Sequence, residues 1–93
     1  MTRVTAGLVS VILVSRNCRS LIDVVFPTLM AQAYQPFEVL VVDNGSTDDT
    51  VTSLARRYPS VRVVQLGQNL GFSHALNRGV RDTDGEFVLS LNS

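Results

Sequence analysis

Apolar residues gather into four short runs, and between the runs the spacing changes from that of a strand to that of a helix. "LVSVILVS" (Leu8–Ser15) is a near-continuous β-branched stretch, the pattern of a strand buried on both faces. "FEVLVVD" (Phe37–Asp43), "VRVVQL" (Val61–Leu66) and "EFVLSL" (Glu86–Leu91) predict three more strands. "SLIDVVFPTLMAQA" (Ser20–Ala33) predicts a helix with Ser20 as N-cap and Asp23 three residues on. Pro27 lies inside that helix and should kink it or delay its start. "STDDTVTSLARRYP" predicts a second helix, capped by Ser46 or Thr47, with Asp48 and Asp49 in its first turn and Arg56 and Arg57 at its negative end. Val51, Leu54, Ala55 and Tyr58 should form its apolar face, and Pro59 stops it. A third helix is expected near Ser73–Arg81.

Strands alternating with helices of this length form βαβ units, so an α/β fold with a parallel sheet and right-handed crossovers follows. In a parallel sheet every strand ends on one edge, and here that edge carries Ser15–Arg16–Asn17, Asp43–Asn44–Gly45, Gly67–Gln68–Asn69 and Leu91–Asn92–Ser93. Ligands of open α/β sheets bind outside this edge, where the strand order reverses. Asp43 is thereby delivered to the ligand edge by topology. An acceptor-only carboxylate there suits the imide N–H of a uracil or thymine, or a ribose hydroxyl. It equally suits a turn, with Gly45 supplying a left-handed residue, and residue types alone leave both readings open.

Composition removes several chemistries. The 93 residues allow one domain, and eight basic residues balance eight acidic ones, so no polyanion or membrane surface is implied. Every basic residue is arginine, which excludes a P-loop lysine and a Schiff-base lysine. No glycine occurs in "VSRNCRS", where a dinucleotide fingerprint would have to stand. One cysteine (Cys18) and one histidine (His74) make neither a disulfide framework nor a Cys/His zinc site. The stretch from Leu8 to Val14 is far shorter than the roughly 20 residues of a membrane helix. Arg3 precedes that stretch as in a signal peptide, but no small-residue cleavage site follows, so an intracellular, cytoplasmic chain is expected. The arginines are too scattered for a nucleic-acid stripe. A receiver-like domain phosphorylated on Asp43 is disfavoured by "SRN" after the first strand, where such domains carry acidic residues, and by the absence of lysine.

Four blocks, "VSVILVSRN", "FEVLVVDNGSTDDT", "NLGFSHALNRGV" and "GEFVLSLNS", resemble the successive N-terminal blocks of family 2 glycosyltransferases, inverting nucleotide-sugar-dependent enzymes of the GT-A fold. They run in order from about Val9 to Ser93, and N-x-G-x-S-x-A-x-N-x-G spans Asn69 to Gly79. The resemblance implies the N-terminal half of that fold, a Rossmann-like sheet in the order 3-2-1-4, with residues 1–93 as the nucleotide-sugar-binding portion. It implies that Val14, Ser15, Arg16 and Asn17 border the nucleoside and diphosphate. Asp43 would contact the base, beside Asn44 and Gly45. Asn69 and Gly71 would face the nucleotide, and Asn92 would stand at the first position of the family's D-x-D metal motif. The aspartate that completes this motif would come one position past Ser93. A divalent cation, Mn or Mg, is therefore expected of the complete domain, with none bound tightly by this chain.

The resemblance further implies a UDP- or dTDP-linked donor and a glycan or lipid-linked glycan acceptor, with the full protein at most peripheral to the inner face of a membrane. The catalytic base is expected beyond Ser93, so the chain alone is expected to bind rather than catalyse. A non-catalytic nucleotide-binding or interaction module with half of the same fold is the alternative. "DTDG" (Asp82–Gly85) also spells D-x-D, but it precedes the fourth strand and belongs to a turn on the opposite edge. His74 beside Ser73 is no nucleophile–base pair, since helix neighbours point apart; it is expected to line or pack under the nucleotide loop. Cys18 is expected to be a small, half-buried residue. The fourth strand should lie at an open edge and favour self-association of the isolated chain.

Overall fold

The computed structural model describes residues 5–18, 21–31 and 37–92. Its sheet has four parallel strands, β1 (Thr5–Ser15), β2 (Phe37–Asp43), β3 (Arg62–Gln65) and β4 (Gly85–Asn92), in the order β3-β2-β1-β4. α1 (Phe26–Met30), α2 (Thr50–Arg57) and α3 (Phe72–Arg81) connect them. The expected α/β class, parallel sheet and strand order are all present.

Alternation within β1 and β2 divides the core in two. Val11, Leu13, Val39 and Val41 point to one face and are covered by Ile22, Phe26 and Leu54. Ile12, Val14, Leu40 and Val42 point to the other and meet Ala75 of α3. Both central strands are buried on both faces, as their unbroken β-branched runs require. The chain leaves β1 towards β2 and β3 on one side and returns to β4 on the other. The strand order therefore reverses between β1 and β4.

The first helix departs from expectation. A π-helical segment, Leu21–Val25, precedes α1, so the α-helix begins only at Phe26. Pro27 then falls in the first turn, where its missing N–H leaves no hydrogen bond unmade. The expected cap Ser20 and the expected end at Ala33 lie outside the described residues. Phe26 stacks on Tyr58 with ring centroids 4.9 Å apart, and Arg57 pairs with Asp23 at 2.9 Å. These contacts join the π-helical segment and α1 to the end of α2.

α2 also starts later than its sequence suggests. Neither Ser46 nor Thr47 caps it; the N-cap is Asp49, which makes no side-chain bond to the first N–H groups. Asp48 takes that work, accepting from the Thr50 amide at 3.0 Å and the Thr50 hydroxyl at 2.5 Å. Ala55 is exposed, and Thr50, Ser53 and Leu54 are buried instead. The first-turn hydroxyls, once bonded to aspartates, tolerate burial that the pattern assigned to Ala55.

α3 lies close against the sheet because its inward positions are small. A Cβ on Gly79 would stand 2.5 Å from Ile12 Cγ2 and 3.3 Å from Val42 Cγ2. Ala75, one turn earlier, is fully buried. Two members of the N-x-G-x-S-x-A-x-N-x-G pattern are thus packing residues. Among the described residues β4, by contrast, contacts the sheet only through β1 and leaves Phe87 58%, Val88 47% and Leu89 47% exposed.

Candidate nucleotide site

Three loops leave the C-terminal edge of the sheet, after β1, β2 and β3, and their polar side chains tie them together. Asp43 ends β2 and is only 3% exposed. Its Oδ1 accepts from the Ser15 hydroxyl at 3.0 Å and the Ser46 hydroxyl at 2.5 Å, while its Oδ2 accepts from the Ser46 amide at 2.9 Å. The aspartate therefore closes a local turn and clamps the tips of β1 and β2. Three of its roughly four lone-pair directions are engaged within the chain, leaving one on Oδ2. That engagement also explains why Ser46 does not cap α2.

Asn17 joins the loop after β1 to the loop after β2. It sits at φ 51°, a left-handed conformation that asparagine tolerates better than most residues. There its Oδ1 accepts from the Thr47 amide at 2.7 Å and the Asp48 amide at 3.3 Å, and its own amide donates to Ser46 Oγ at 2.9 Å. Asn44 joins the loop after β2 to the loop after β3. It is 4% exposed; its Oδ1 accepts from the Leu70 amide at 2.9 Å, and its Nδ2 donates to the Gly71 carbonyl at 3.2 Å. Asn69 turns its Oδ1 on to the Gly71 amide at 3.1 Å. Among the described residues no buried side-chain nitrogen or oxygen lacks a partner.

The structure therefore brings the expected residues together but sorts them. Ser15, Asn17, Asp43, Asn44 and Asn69 hold the loops. Gly45, at φ 85°, lets the second loop pass the third, because a Cβ there would stand 2.7 Å from the carbonyl carbon of Gln68. Gly71, at φ 89°, turns into α3. Val14 is buried beneath the edge, and the Asn92 backbone pairs with Val14 in the β1–β4 register. Arg16 is exposed on the edge.

Sequence reasoning missed the clamping roles of Ser46, Asn17 and Asn44. The signal for the first was present: an aspartate followed three residues later by serine, with glycine between, is an Asx-turn arrangement. The other two depend on loops that meet only in space.

The second D-x-D lies at the other end of the sheet. Asp82 ends α3 and pairs with Arg78 at 2.8 Å, a hydrogen bond that holds its carboxyl below the usual carboxylate range. Thr83 is buried, donating to the Gly79 and Val80 carbonyls, and the Asp84 amide donates to Glu38. It is a helix-to-strand turn. A hollow of about 330 Å³ between Phe37–Val39 and Ser60–Arg62 is on this edge too, away from the three loops. His74 is exposed and does not pack under the third loop; with Asn77, Arg78 and Arg81 it borders an open hollow of about 240 Å³ along α3. Cys18 is half-buried against the first core cluster.

Known proteins resemble this chain in sequence and fold. Residues 10–93 match the family described as Glycosyl transferase family 2. Over 46 residues the chain is 48% identical to N-acetylglucosaminyl-diphospho-decaprenol L-rhamnosyltransferase of Mycobacterium tuberculosis, covering 50% of this chain and 15% of that enzyme. The crystal structure of S. aureus TarS 1-349 in complex with UDP superposes with a TM-score of 0.80 at 33% identity, over 91% of this chain and 27% of that one. Glucosyl-3-phosphoglycerate synthase from M. tuberculosis, in complex with Mn²⁺, UDP and glucosyl-3-phosphoglycerate, gives 0.78 at 28% identity, over 95% and 34% respectively. The chain thus spans about a third or less of the proteins it resembles here. By a family match over nearly its whole length, joined to the GT-A sheet order, it belongs to glycosyl transferase family 2.

Proposed function

We propose that residues 1–93 form the donor-nucleotide portion of an inverting glycosyltransferase that moves a sugar from a UDP- or dTDP-linked donor to an acceptor hydroxyl. The observation that carries this reading is the set of three loops bonded together outside the C-terminal edge of a sheet whose strand order reverses there. The names of the relatives support it: one is a rhamnosyltransferase, and two neighbouring structures hold UDP. The acceptor is a glycan or a lipid-linked glycan, as the decaprenol-linked name of the first relative suggests. No helix among the described residues is long and apolar enough to cross a membrane, and we place the full protein in the cytoplasm or peripherally at the inner face of a membrane.

In this reading the clamped loops hold the nucleotide while the acceptor hydroxyl displaces the nucleoside diphosphate at the anomeric carbon. A divalent ion, as in the Mn²⁺ complex of the synthase, would stabilise that leaving group in the complete domain. Among the described residues no group of three or more histidine, cysteine or acid residues converges, and Asp43 is engaged by two serines. We assign this chain donor binding, with the metal ligand and the base supplied elsewhere in the complete domain. The bare outer edge of β4 is the surface through which the isolated chain would self-associate.

The remaining lone pair of Asp43 Oδ2 is the acceptor proposed for the base imide. Calorimetric titration of the chain with UDP, dTDP and CDP, with and without Mn²⁺, tests this directly. UDP and dTDP are expected to bind more tightly than CDP, which lacks the imide N–H, by about tenfold, and without a requirement for Mn²⁺. Equal affinities for UDP and CDP would remove the base contact from the reading.

A further inference from the structure

β1 and β2 carry the same pairing twice. At the loop edge Ser15 stands opposite Asp43, and nearer the start of both strands Ser10 stands opposite Glu38. Both serines are buried, and each donates its hydroxyl to the acid across from it, Ser10 to Glu38 Oε2 at 2.8 Å. The first pair holds the tips of the site loops. The second lies towards the opposite edge of the sheet, away from the three loops.

The second pair reaches β4. Ser10 Oγ, which donates to Glu38, also accepts from the Gly85 amide at 2.8 Å, and Glu38 Oε2 accepts from the Asp84 amide at 2.9 Å. Arg62, at the start of β3, stands 3.6 Å from Glu38 Oε1. One carboxylate on β2 thus meets β1, β3 and the turn into β4. Only glycine fits the seat over Ser10: a Cβ on Gly85 would run into Ser10 Oγ and stand 2.6 Å from the Ser10 amide nitrogen. Gly85 is the single glycine of β4. Burial, by contrast, specifies the register of this strand weakly. Phe87 and Leu89 alternate with Val88 across its two faces, and all three are about half exposed, so a slip of one residue changes little apolar burial. The same slip would bring Asp84 or Glu86 over Ser10, with a side chain where there is no room for one.

We propose that Glu38 is a positioning residue: through Ser10 and the Asp84 and Gly85 amides it fixes the register of β4, and the register sets where Asn92 reaches the loop edge, opposite Val14. The side of the site bordered by β4 is thereby set from the far end of the sheet. The inference rests on the donor-nucleotide reading only for the use made of that edge; the lock itself involves no ligand.

The test is NMR on the ligand-free chain, reading β1–β4 cross-strand proton contacts at Val11–Leu89 and Val14–Asn92 together with amide exchange. The samples are wild type, Ser10→Ala, Glu38→Ala, Glu38→Gln and the variant combining Ser10→Ala with Glu38→Ala. In Glu38→Ala, exchange at Phe87–Leu89 should quicken about tenfold more than at Val39–Val42, and the wild-type cross-strand contacts should give way to those of a shifted register. Ser10→Ala, which leaves the carboxylate in place, reads the same lock where Glu38→Ala does not fold. Glu38→Gln should restore the wild-type contacts, because both bonds fall on one oxygen, which the amide retains. The combined variant should be no worse than Glu38→Ala, since the two side chains act as one relay. Equal quickening of β2 and β4 would overturn the proposal, as it would show a general loss of stability. So would a full set of wild-type β1–β4 contacts in Glu38→Ala and Ser10→Ala. UDP titration of the wild type keeps the two readings apart: a chain with a locked β4 that binds no UDP would overturn the donor reading and leave the lock standing.

Discussion

Asp43→Ala is expected to lose about 2–4 kcal/mol of folding stability. The buried hydroxyl of Ser15 loses its acceptor, and the turn at Ser46 loses both bonds that close it, each unsatisfied group costing about 1–3 kcal/mol. Removing a buried carboxylate recovers some desolvation energy, which keeps the total below the sum of the parts. Denaturant midpoints for wild type, Asp43→Ala and Asp43→Asn measure it. Asparagine keeps one acceptor oxygen and should fall between the other two. An alanine variant within 0.5 kcal/mol of wild type, roughly the level of an ordinary surface substitution, would mean that the turn stands without its aspartate. Binding separates the aspartate's two roles. At a temperature where the variants remain folded, loss of the turn alone lowers UDP and CDP affinity together. Loss of a base contact erases the difference between them.

Gly45→Ala is expected to destabilise by about 2–4 kcal/mol, and Gly67→Ala by only about 1 kcal/mol. Both glycines have positive φ, 85° and 80°, so both variants carry left-handed strain. They differ in what a Cβ would meet. At Gly67 nothing lies within 4 Å, whereas at Gly45 the methyl would stand 2.7 Å from Gln68 C, 2.8 Å from Gln68 Cα and 3.0 Å from Asn69 N. Those are backbone atoms and cannot rotate aside, so the third loop must move, and the Asn44 bonds to Leu70 and Gly71 move with it. UDP affinity should accordingly fall in Gly45→Ala and hold in Gly67→Ala. Equal stability losses in the two variants would show that the close approach of the two loops carries no energy.

The features legible in the sequence are those set by local pattern and by topology. β2 spans Phe37–Asp43 as its apolar run dictates, and the parallel order 3-2-1-4 puts Arg16, Asp43 and Asn69 on one edge. The second D-x-D could be dismissed because a turn before a strand must lie at the other end. The misreadings arise where a side chain has a choice of partners. Ser46 could cap α2 or close the turn at Asp43; the local Asx-turn pattern allows the turn, and Ser15, 28 residues away, joins it on Asp43 Oδ1. Ala55 fits the helical period, but the buried face of α2 follows Thr50, Ser53 and Leu54, and the hydroxyls of Thr50 and Ser53 are satisfied by aspartates one turn or less away. β1 begins earlier than its apolar run because Gly7, at φ 77°, lies where its register with β4 shifts, which lets pairing continue to Thr5. No local pattern reports such a distant partner.

The two walls of the crevice differ in how firmly they are held. β1 joins β2 across 28 residues of chain, as the Ser15–Asp43 bond measures, whereas the β1–β4 pairing closes 79, from Gly7 to Glu86. The longer closure costs about 0.9 kcal/mol more in chain entropy. β4 recovers little of that by burial, since Phe87, Val88 and Leu89 stay about half exposed and β1 is its only strand neighbour. Such an element is expected to open more readily than β2, which slower amide exchange in Val39–Val42 than in Phe87–Leu89 would show. The loop edge is thus expected to have one stiff side, the clamped tips of β1 and β2, and one compliant side at β4. The base contact proposed for Asp43 lies on the stiff side, where the loops are already bonded to one another.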